Sequence, residues 1–176
     1  MNRHLNPAHF SVVLVSPEIP HNTGAIGRLC VGLGIPLHLV RPLGFKLTEK
    51  AIARAGLDYW PLLEVHVHDS WDDYLAEVRP RRMLFLSTHG EASLYDCEFA
   101  PGDALVFGSE SAGLPKEFYD RYRESLFRIP MPGEHARSIN LANAVSIAAY
   151  ECFRQLGAQA RQSPAPTIAA TEGGLQ

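Results

Sequence analysis

Short apolar runs alternate along the chain with stretches of helical apolar spacing and with polar loops that contain glycine or proline. The clearest run, from Ser11 to Ser16, has the sequence SVVLVS without polar alternation, which is typical of a strand covered on both faces. Further runs predict five more strands, at 37–40, 62–67, 83–86, 104–107 and 126–129. This pattern predicts a buried, parallel sheet.

Helical spacing predicts helices between these strands. After a proline-containing loop with an Asn-Thr-Gly turn, an apolar stripe predicts a helix over about 23–34. A short helix is expected over about 48–55. Ser70 and Asp73 resemble a capping box at the start of another helix. The buried side of that helix is expected to contain Trp71, Tyr74, Leu75 and Val78.

The last predicted helix, over about 138–156, has apolar residues on more than one face. One stripe at helical spacing contains Leu141, Ala142, Val145, Ala149, Cys152, Phe153 and Leu156. Ile147 and Tyr150 extend the apolar surface around the helix. Because one face is enough to cover the sheet, we expect the other to meet a second copy of the chain. The sequence therefore predicts a homodimer through this C-terminal helix.

Strands that alternate with helices indicate an α/β fold, a mostly parallel sheet flanked by helices. The 176 residues suit a single domain, expected over 1–157. The remaining residues, 158–176, lack aromatic side chains and predict a disordered tail. Ligands of open α/β sheets bind beyond the carboxyl ends of the strands, so 17–28, 107–115 and 129–143 are the candidate site segments.

The overall charge does not favour a nucleic-acid partner. The formal net charge is -3 and the sequence pI is about 6.2, whereas nucleic-acid-binding domains commonly have a pI above about 9. The charge is segregated, however: residues 1–46 contain four basic side chains and one acid, whereas 61–78 contain five acids and no base. A local positive face is therefore compatible with the composition.

The sequence gives no support for a membrane segment, a disulfide framework or a metal. No apolar run approaches the roughly 18–20 residues that span a bilayer, and we expect a cytoplasmic protein. Cys30, Cys97 and Cys152 form no close pair and are expected to be buried small apolar groups. His66 and His68 share one face of a strand without a clear third ligand, which favours surface histidines over a metal site.

Glycine spacings in the chain superficially suggest nucleotide or hydrolase motifs. The glycines between 24 and 34 do not complete G-x-G-x-x-G after a strand, which disfavours a dinucleotide site. Leu114 and Pro115 stand where a phosphate loop needs lysine and a hydroxyl residue. Ser109 occupies the place of the first glycine of a G-x-S-x-G elbow, which disfavours a serine hydrolase.

The three candidate segments contain the polar residues best suited to chemistry. The first, PEIPHNTGAIGR, places Arg28 about one turn inside a helix, where a solvated arginine is the plain alternative. The second, FGSESAGLP, sets Glu110 in a loop of small residues, where the carboxylate could also simply accept amide hydrogens. The third, IPMPGEHARSINLANAVS, presents Ser138, Asn140 and Asn143 near a helix start, and two asparagines there call for a reason beyond capping.

These segments contain three motifs in order. N-T-G-x-x-x-R ends at Arg28, F-G-x-E-x-x-G-L-P covers 107–115, and I-P-M followed by R-S-x-N-L-x-N-A-V lies within 129–145. The combination resembles the SPOUT superfamily of RNA methyltransferases over about 12–157. P-E-I-P-x-N-T-G together with A-G-L-D-Y at 55–59 is similar to the minimal, single-domain TrmL type, which methylates the ribose of the tRNA wobble nucleotide.

The resemblance implies a C-terminal trefoil knot, S-adenosyl-L-methionine held bent among the knot loops, tRNA as partner, and an obligate homodimer with a shared active site. Carried over by motif, the cofactor pocket contains Leu86, Gly108, Ile129, Met131, Ser138 and Leu141. Arg28 matches the arginine treated as catalytic in the family, and Glu110 and Asn140 match its supporting polar residues. Tyr150 falls on the dimer helix. His21 departs from the motif, which commonly has a second apolar or proline residue there.

In the implied reaction a ribose 2'-hydroxyl attacks the sulfonium methyl group, and no metal is needed. A side-chain pKa above about 12 keeps arginine protonated at neutral pH. We therefore favour Arg28 as a donor that stabilises the developing oxyanion or grips the adjacent phosphate.

Several alternatives stay open on the sequence. The target could be another tRNA position or rRNA, since both would need the same pocket with a different footprint. A non-catalytic knot protein that binds the cofactor or RNA is disfavoured by the joint presence of Arg28, Glu110 and Asn140. A flavodoxin-like binder of small molecules fits the periodicity but leaves the helix-start asparagines unexplained.

Overall fold

A computed structural model describes residues 10–46 and 59–162. Within these ranges the strands are β1 Phe10–Val15, β2 Leu37–Val40, β3 Val65–His68, β4 Arg82–Leu86, β5 Ala92–Ser93, β6 Asp103–Phe107 and β7 Leu126–Arg128. The α-helices of the same ranges are α1 Pro20–Leu33, α2 Trp71–Val78, α3 Lys116–Arg121 and α4 Leu141–Gln162.

The seven described strands form one sheet in the order β3-β2-β1-β6-β4-β7-β5, and their pairings are parallel. The predicted α/β class with a mostly parallel, helix-flanked sheet is therefore confirmed. The centre of the sheet is β6, which pairs with β1 on one side and β4 on the other. The trefoil knot implied by the resemblance stays a prediction.

Both faces of the sheet are covered by helices, as the unbroken apolar run of β1 predicts. Val12 and Val13 point to opposite faces and are both fully buried. One face packs against α1 and α4 through residues such as Ile26 and Cys152. The other packs against α2 and α3 through residues such as Tyr74 and Phe118. Full burial of an isoleucine or phenylalanine side chain contributes about 1.5–3 kcal/mol to folding.

An ion pair fixes the register of β4 and β6 at their amino ends. The guanidinium of Arg82 donates from Nε and Nη2 to the two carboxylate oxygens of Asp103, at 2.7 and 2.5 Å. Asp103 is 2% exposed, and it also accepts a hydrogen bond from the main-chain N–H of Ala100. Since a buried carboxylate without its partner is costly, this pair favours the observed register.

Helix α1 begins earlier than its apolar stripe predicts. It starts at Pro20, so the Asn-Thr-Gly stretch lies in its first turns and the predicted turn at that place is wrong. Proline suits the first helical position because its fixed φ matches the helix and its missing N–H would have no partner there. The predicted end is confirmed, since Gly34 closes the helix in the left-handed conformation with φ 66°.

The other boundaries agree with the sequence to different degrees. The capping box is confirmed, because the main-chain N–H of Asp73 donates to Ser70 Oγ at 3.1 Å. The strand predicted over 62–67 starts only at Val65, since a 3-10 turn, Trp60–Leu62, precedes it. Sequence patterning misses the two-residue β5 and the short α3. The helix expected at 48–55 lies outside the described residues.

Helix α4 is displaced relative to its predicted limits. It begins at Leu141, so Ser138 and Asn140 precede the helix instead of lying within its first turns. It continues through Gly157 to Gln162, five residues into the predicted tail. Residues 163–176 of that tail lie outside the described residues. No helix of the described ranges is both long and apolar enough to cross a membrane.

Candidate active site

A cavity of about 500 Å³ opens at the carboxyl ends of β4, β6 and β7. The three segments singled out in the sequence meet there, together with the loop that follows β4. All six predicted cofactor residues line it: Leu86, Gly108, Ile129, Met131, Ser138 and Leu141. Glu110 and Asn140 line it as well, whereas Arg28 is not among its lining residues.

Main chain forms much of the cavity wall after β6. Ser109 and Gly113 exchange two main-chain hydrogen bonds of 2.9 Å, which close the loop tightly on itself. A Cβ atom on Gly108 would lie 2.0 Å from the carbonyl carbon of Gly113, so no side chain fits at Gly108. Glycine at 108 therefore allows the two ends of this cavity-lining loop to pack directly against each other.

Aromatic and hydroxyl groups form the wall beside the β4 loop. Ser87 Oγ lies 3.2 Å from Tyr119 Oη, and the His89 ring meets the Tyr119 ring edge to face at 5.5 Å between centroids. Leu86 and Ile129 add apolar surface to the same cavity. The cavity thus combines apolar walls with a few placed polar groups, as ligand sites commonly do.

Glu110 joins the loop after β6 to the start of α1. Its Oε2 accepts a hydrogen bond from the main-chain N–H of Glu18 at 2.7 Å. Its Oε1 accepts from the main-chain N–H of Ile19 at 3.1 Å and from Asn22 Nδ2 at 2.9 Å. Ile19, the N-cap of α1, supplies no side-chain cap, and the carboxylate of Glu110 accepts from the amide groups of Ile19 and of Glu18 directly before the helix.

Asn22 connects Glu110 to the third segment. While its Nδ2 donates to Glu110, its Oδ1 accepts from Asn140 Nδ2 at 2.9 Å. Asn140 Oδ1 in turn accepts from the main-chain N–H groups of Ala142 and Asn143, at 2.9 and 3.3 Å, and caps α4. We call this chain of side chains, Glu110, Asn22 and Asn140, the polar relay.

The carboxylate of Glu18, in the segment before α1, contacts the loop after β6 in return. Glu18 Oε2 accepts from the main-chain N–H of Ser111 at 2.9 Å, and Glu18 Oε1 accepts from Ser111 Oγ at 2.7 Å. The segment before α1 and the loop after β6 therefore hold each other through Glu18 and Glu110. This reciprocal arrangement fixes one rim of the cavity.

The environment of Glu110 keeps its carboxyl group ionised. Partial burial would raise its pKa, but the hydrogen bonds from Asn22 and from the main chain at Glu18 and Ile19 outweigh this effect, and the pKa lies below its ordinary value of 4.5. Because three donors already occupy the carboxylate, it is poorly suited to accept a proton from a substrate. The carboxylate instead joins the loop after β6 to the segment before α1.

Arg28 lies on an exposed face of α1. Its guanidinium carbon stands 4.8 Å from the centroid of the Tyr59 ring, within cation–π range. The Tyr59 hydroxyl donates a hydrogen bond to the main-chain carbonyl of Gly24, one helical turn before Arg28. Tyr59 thus contacts α1 at two points.

Of the two histidines that the sequence assigns to the surface, His66 and His68, one is buried. His68 is 3% exposed, and its ring nitrogens lie 3.0 Å from His38 Nδ1 and 2.6 Å from Glu77 Oε2. The surface interpretation is therefore wrong for His68, whereas His66 is exposed. Among residues 10–46 and 59–162, no cluster of His, Cys, Asp or Glu is arranged to hold a metal ion.

The cysteines behave as small buried groups, as predicted. Cys30, Cys97 and Cys152 are free and buried. Desolvation raises the pKa of Cys30 to about 12 and that of Cys97 to about 11, and it raises the pKa of Cys152 as well. Thiols of this kind are unreactive at neutral pH.

Sequence reasoning missed several residues that shape the cavity rim. Asn22 was expected to favour a turn, but it is the central member of the polar relay. Glu18 and Ser111 lie in the candidate segments but were given no role, although Glu18 is the single acid of residues 1–46 and follows a strand end. An isolated acid beside a predicted ligand-binding edge was the available signal.

Comparison with known proteins identifies the family. Residues 9–150 match the SpoU rRNA Methylase family. The chain belongs to this family. A SpoU methylase relative from Burkholderia ambifaria, named tRNA (cytidine(34)-2'-O)-methyltransferase, is 46% identical over 152 residues, which cover 84% of this chain and 96% of the relative.

Solved structures agree with this assignment. One, described as giving structural insights into the 2-OH methylation of C/U34 on tRNA, has a TM-score of 0.80 and 48% identity and covers 87% of this chain and 99% of its own. Another, an AdoMet-bound rRNA methyltransferase from Sinorhizobium meliloti, has a TM-score of 0.73 and 25% identity, and covers 87% of this chain and 59% of its own. The resemblance to SPOUT methyltransferases is confirmed, and this SpoU methylase is an enzyme.

Proposed function

We propose that this SpoU methylase transfers a methyl group from S-adenosyl-L-methionine to the ribose 2'-hydroxyl of the wobble nucleotide of tRNA, cytidine or uridine at position 34. The observation that carries the proposal is the common cavity of the three motif segments, with the polar relay along its rim. The names of relatives at 45–47% identity support the same target.

The cavity fits the methyl donor in size and in chemistry. Its volume of about 500 Å³ is within the usual range for small-ligand sites. Main chain at Leu86, Gly108, Ile129 and Ser138 would hold the polar atoms of the donor, and the side chains of Met131 and Leu141 would cover its apolar parts. The bound donor supplies an electrophilic methyl group on a sulfonium sulfur.

The residues of this chain then have the tasks of orienting the target and stabilising charge. Holding the reacting groups in the right orientation can lower the activation barrier by roughly 7–11 kcal/mol. A cavity rim that holds the target rigidly would therefore contribute to the rate. Arg28, protonated at neutral pH, would donate to the ribose oxygen as negative charge develops there, or to the neighbouring phosphate. Glu110 and Asn140 would support the rim, since their hydrogen-bonding groups are already committed to the polar relay.

The position of Arg28 favours a homodimer with shared sites. Arg28 does not line the cavity of its own chain and lies on an exposed face of α1, which packs beside α4. On α4, Tyr150 is 54% exposed and pairs edge to face with Phe153. We infer that two copies associate through α4, so that Arg28 of each copy reaches the cavity of the other.

The chain must recognise tRNA although its formal net charge is -3. Side chains read single-stranded loops better than RNA helices, and the wobble nucleotide lies in such a loop. A dimer surface would bring basic segments of both copies to one anticodon loop. A tRNA-modifying role supports a location in the cytoplasm.

A ribosomal RNA target is the second candidate, favoured by the family description and by the rRNA methyltransferase neighbour. Coverage argues for tRNA: this chain spans 96–99% of the tRNA-directed relative and structure, but 59% of that rRNA enzyme. A large part of the rRNA enzyme therefore has no counterpart in the match to this chain.

The test is methyl transfer from labelled S-adenosyl-L-methionine to total tRNA and to rRNA from a strain that lacks the enzyme, followed by nucleoside mapping. We expect label in 2'-O-methylcytidine or 2'-O-methyluridine at position 34 of tRNA. Label in rRNA alone, or at another tRNA position, would contradict the proposal. Tight cofactor binding without any transfer would favour the non-catalytic alternative.

A further inference from the structure

We propose that Tyr59 is a positioning residue for Arg28, and that its aromatic ring fixes the guanidinium in the orientation that methyl transfer needs. This inference rests on the proposed function and deepens it. It concerns a residue that contacts α1 at two points and lies outside the lining of the cavity.

The two contacts of Tyr59 are with residues one turn apart on α1. Gly24 and Arg28 are four residues apart and lie on the same face of α1. The Tyr59 hydroxyl donates to the carbonyl of Gly24, and the ring lies beneath the guanidinium, with 4.8 Å between the guanidinium carbon and the ring centroid. Gly24 has no side chain to stand between the tyrosine and the helix. The ring therefore extends along the helix surface from Gly24 to Arg28.

The ring has a rigid support of its own. Tyr59 directly precedes the 3-10 turn Trp60–Leu62, and both Trp60 and Leu63 are buried. A Cβ atom on Gly27 would lie 3.0 Å from Leu63 Cδ2 and 3.2 Å from a ring carbon of Trp60. The turn thus packs closely on α1 at a glycine, and this contact holds Tyr59 in place beside Arg28.

A fixed guanidinium matters because Arg28 is exposed and has a long side chain. A long arginine side chain has many rotamers, and its planar donor fork acts only when the plane is correctly oriented. An aromatic face attracts the guanidinium plane and restricts it without neutralising its charge. The ring is therefore expected to raise the fraction of Arg28 that is ready to meet the ribose or its phosphate.

The competing interpretation is that Tyr59 merely braces the turn against α1. The two interpretations assign importance to different parts of the side chain, because the brace uses the hydroxyl and the positioning uses the ring. Tyr59→Phe keeps the ring and removes the hydrogen bond to Gly24. Tyr59→Leu removes both, and Tyr95→Leu is the control for the same substitution at an exposed tyrosine elsewhere in the chain.

The decisive experiment is single-turnover methylation of tRNA by the full-length variants, with cofactor affinity measured by calorimetry. We expect Tyr59→Leu to lower the rate about fivefold or more, in line with a cation–π contact, without changing cofactor affinity. Tyr59→Phe should restore most of that rate, and Tyr95→Leu should leave it unchanged. In an Arg28→Ala background, Tyr59→Leu should cause no further loss.

Other results would overturn the inference. An unchanged rate in Tyr59→Leu would do so, as would equal losses in the Phe and Leu variants or a full additional loss in the Arg28→Ala background. If Tyr59→Leu does not fold, Tyr59→Met replaces it, and NMR of the wild type tests the contact directly. The Arg28 Nε–H signal, assigned by its loss in Arg28→Lys, should show an upfield ring-current shift.

The ring-current measurement also separates the two proposals. If the wild type methylates no tRNA while the shift is present, the proposed function fails and the role of Tyr59 in catalysis fails with it, but the contact stands. If the wild type methylates tRNA and the shift is absent, only the positioning role of Tyr59 is wrong.

Discussion

Single side chains hold the rim of this cavity by hydrogen bonds that cross between distant segments. Glu110 reaches the amide groups before α1, while Glu18 reaches back to Ser111. Asn22 has both ends of its amide group occupied, one by Glu110 and one by Asn140. No member can be replaced by an isosteric residue without leaving a donor or acceptor unpaired, which is the costly case for partly buried groups.

Replacing Glu110 with glutamine tests this network. The amide of Glu110→Gln cannot accept on both sides, so at least one of its three donors loses its acceptor. We expect the free energy of unfolding to fall by about 1–3 kcal/mol, together with weaker cofactor binding. Urea unfolding and calorimetry measure the two effects. Glu117→Gln, an exposed position on α3, should change neither.

The network also predicts a dependence on pH. The folded-state pKa of Glu110 lies below its ordinary value of 4.5, so the folded carboxyl binds fewer protons than the unfolded one in the acid range. Its stabilisation is thus present at neutral pH and is lost as the pH falls through the folded-state pKa. The stability difference between wild type and Glu110→Gln should therefore shrink as the pH falls below 4.5, and a difference that stays constant well below that pH would contradict the assignment.

Buried His38 should make the free energy of unfolding depend on pH in a less acidic range than Glu110 does. Desolvation, with the nearby His66 and His68, lowers its pKa from 6.5 to about 4, and its ring also meets Tyr74. Between these values the unfolded chain binds the extra proton, so stability should decrease as the pH falls from 6.5 towards 4, by up to about 3 kcal/mol. Urea unfolding at several pH values should show a flatter profile for His38→Gln and an unchanged slope for exposed His135→Gln.

At the level of helices and strands, the sequence predicted the elements better than their limits. The apolar run of β1 and the stop at Gly34 depend on local chemistry, and both are confirmed. The starts of α1 and α4 depend on distant partners, since Glu110 accepts from the main-chain N–H of Ile19, the N-cap of α1, and Asn140 bridges to Asn22. The hydropathy pattern along the chain does not predict hydrogen bonds between distant segments.

For the candidate site too, the sequence predicted what depends on local motifs but not what depends on contacts between distant segments. Ordered motifs predicted which segments meet, because parallel strands end at one edge of the sheet. They did not reveal that Arg28 lies away from the cavity of its own chain, or that Tyr59 lies beneath it. Those relations depend on how α1 packs, which the spacing of residues along the chain does not specify.

The cap of α4 can be separated from its bridge to α1 by substitution. Asn140→Asp keeps an oxygen for the N–H groups of Ala142 and Asn143 but has no donor for Asn22 Oδ1. We expect this variant to retain the helix and to bind cofactor more weakly. Asn140→Ala should also lose the cap, at a cost of about 1 kcal/mol. Equal stability losses in the two variants by thermal unfolding would contradict this separation.

At the scale of the whole molecule, the exposed face of α4 predicts assembly. Tyr150→Glu places a charge at the centre of the proposed interface, where burial without a partner is unfavourable. We expect the wild type to sediment at twice the chain mass of 19.4 kDa and the variant to sediment at that mass. The folded monomer should lose methyl transfer. Lys116→Glu, exposed on α3 at the other face of the sheet, should remain dimeric.

The strand order has a consequence for how the protein is made. β1 and β4 are both synthesised before β6, yet each pairs along one edge with β6 and not with the other. Until residue 107 has left the ribosome, the nascent chain holds two apolar strand edges that have no neighbour, a state prone to mispairing. Completion of the sheet must therefore wait for the second half of translation, and chains released before that point should be captured by chaperones or degraded.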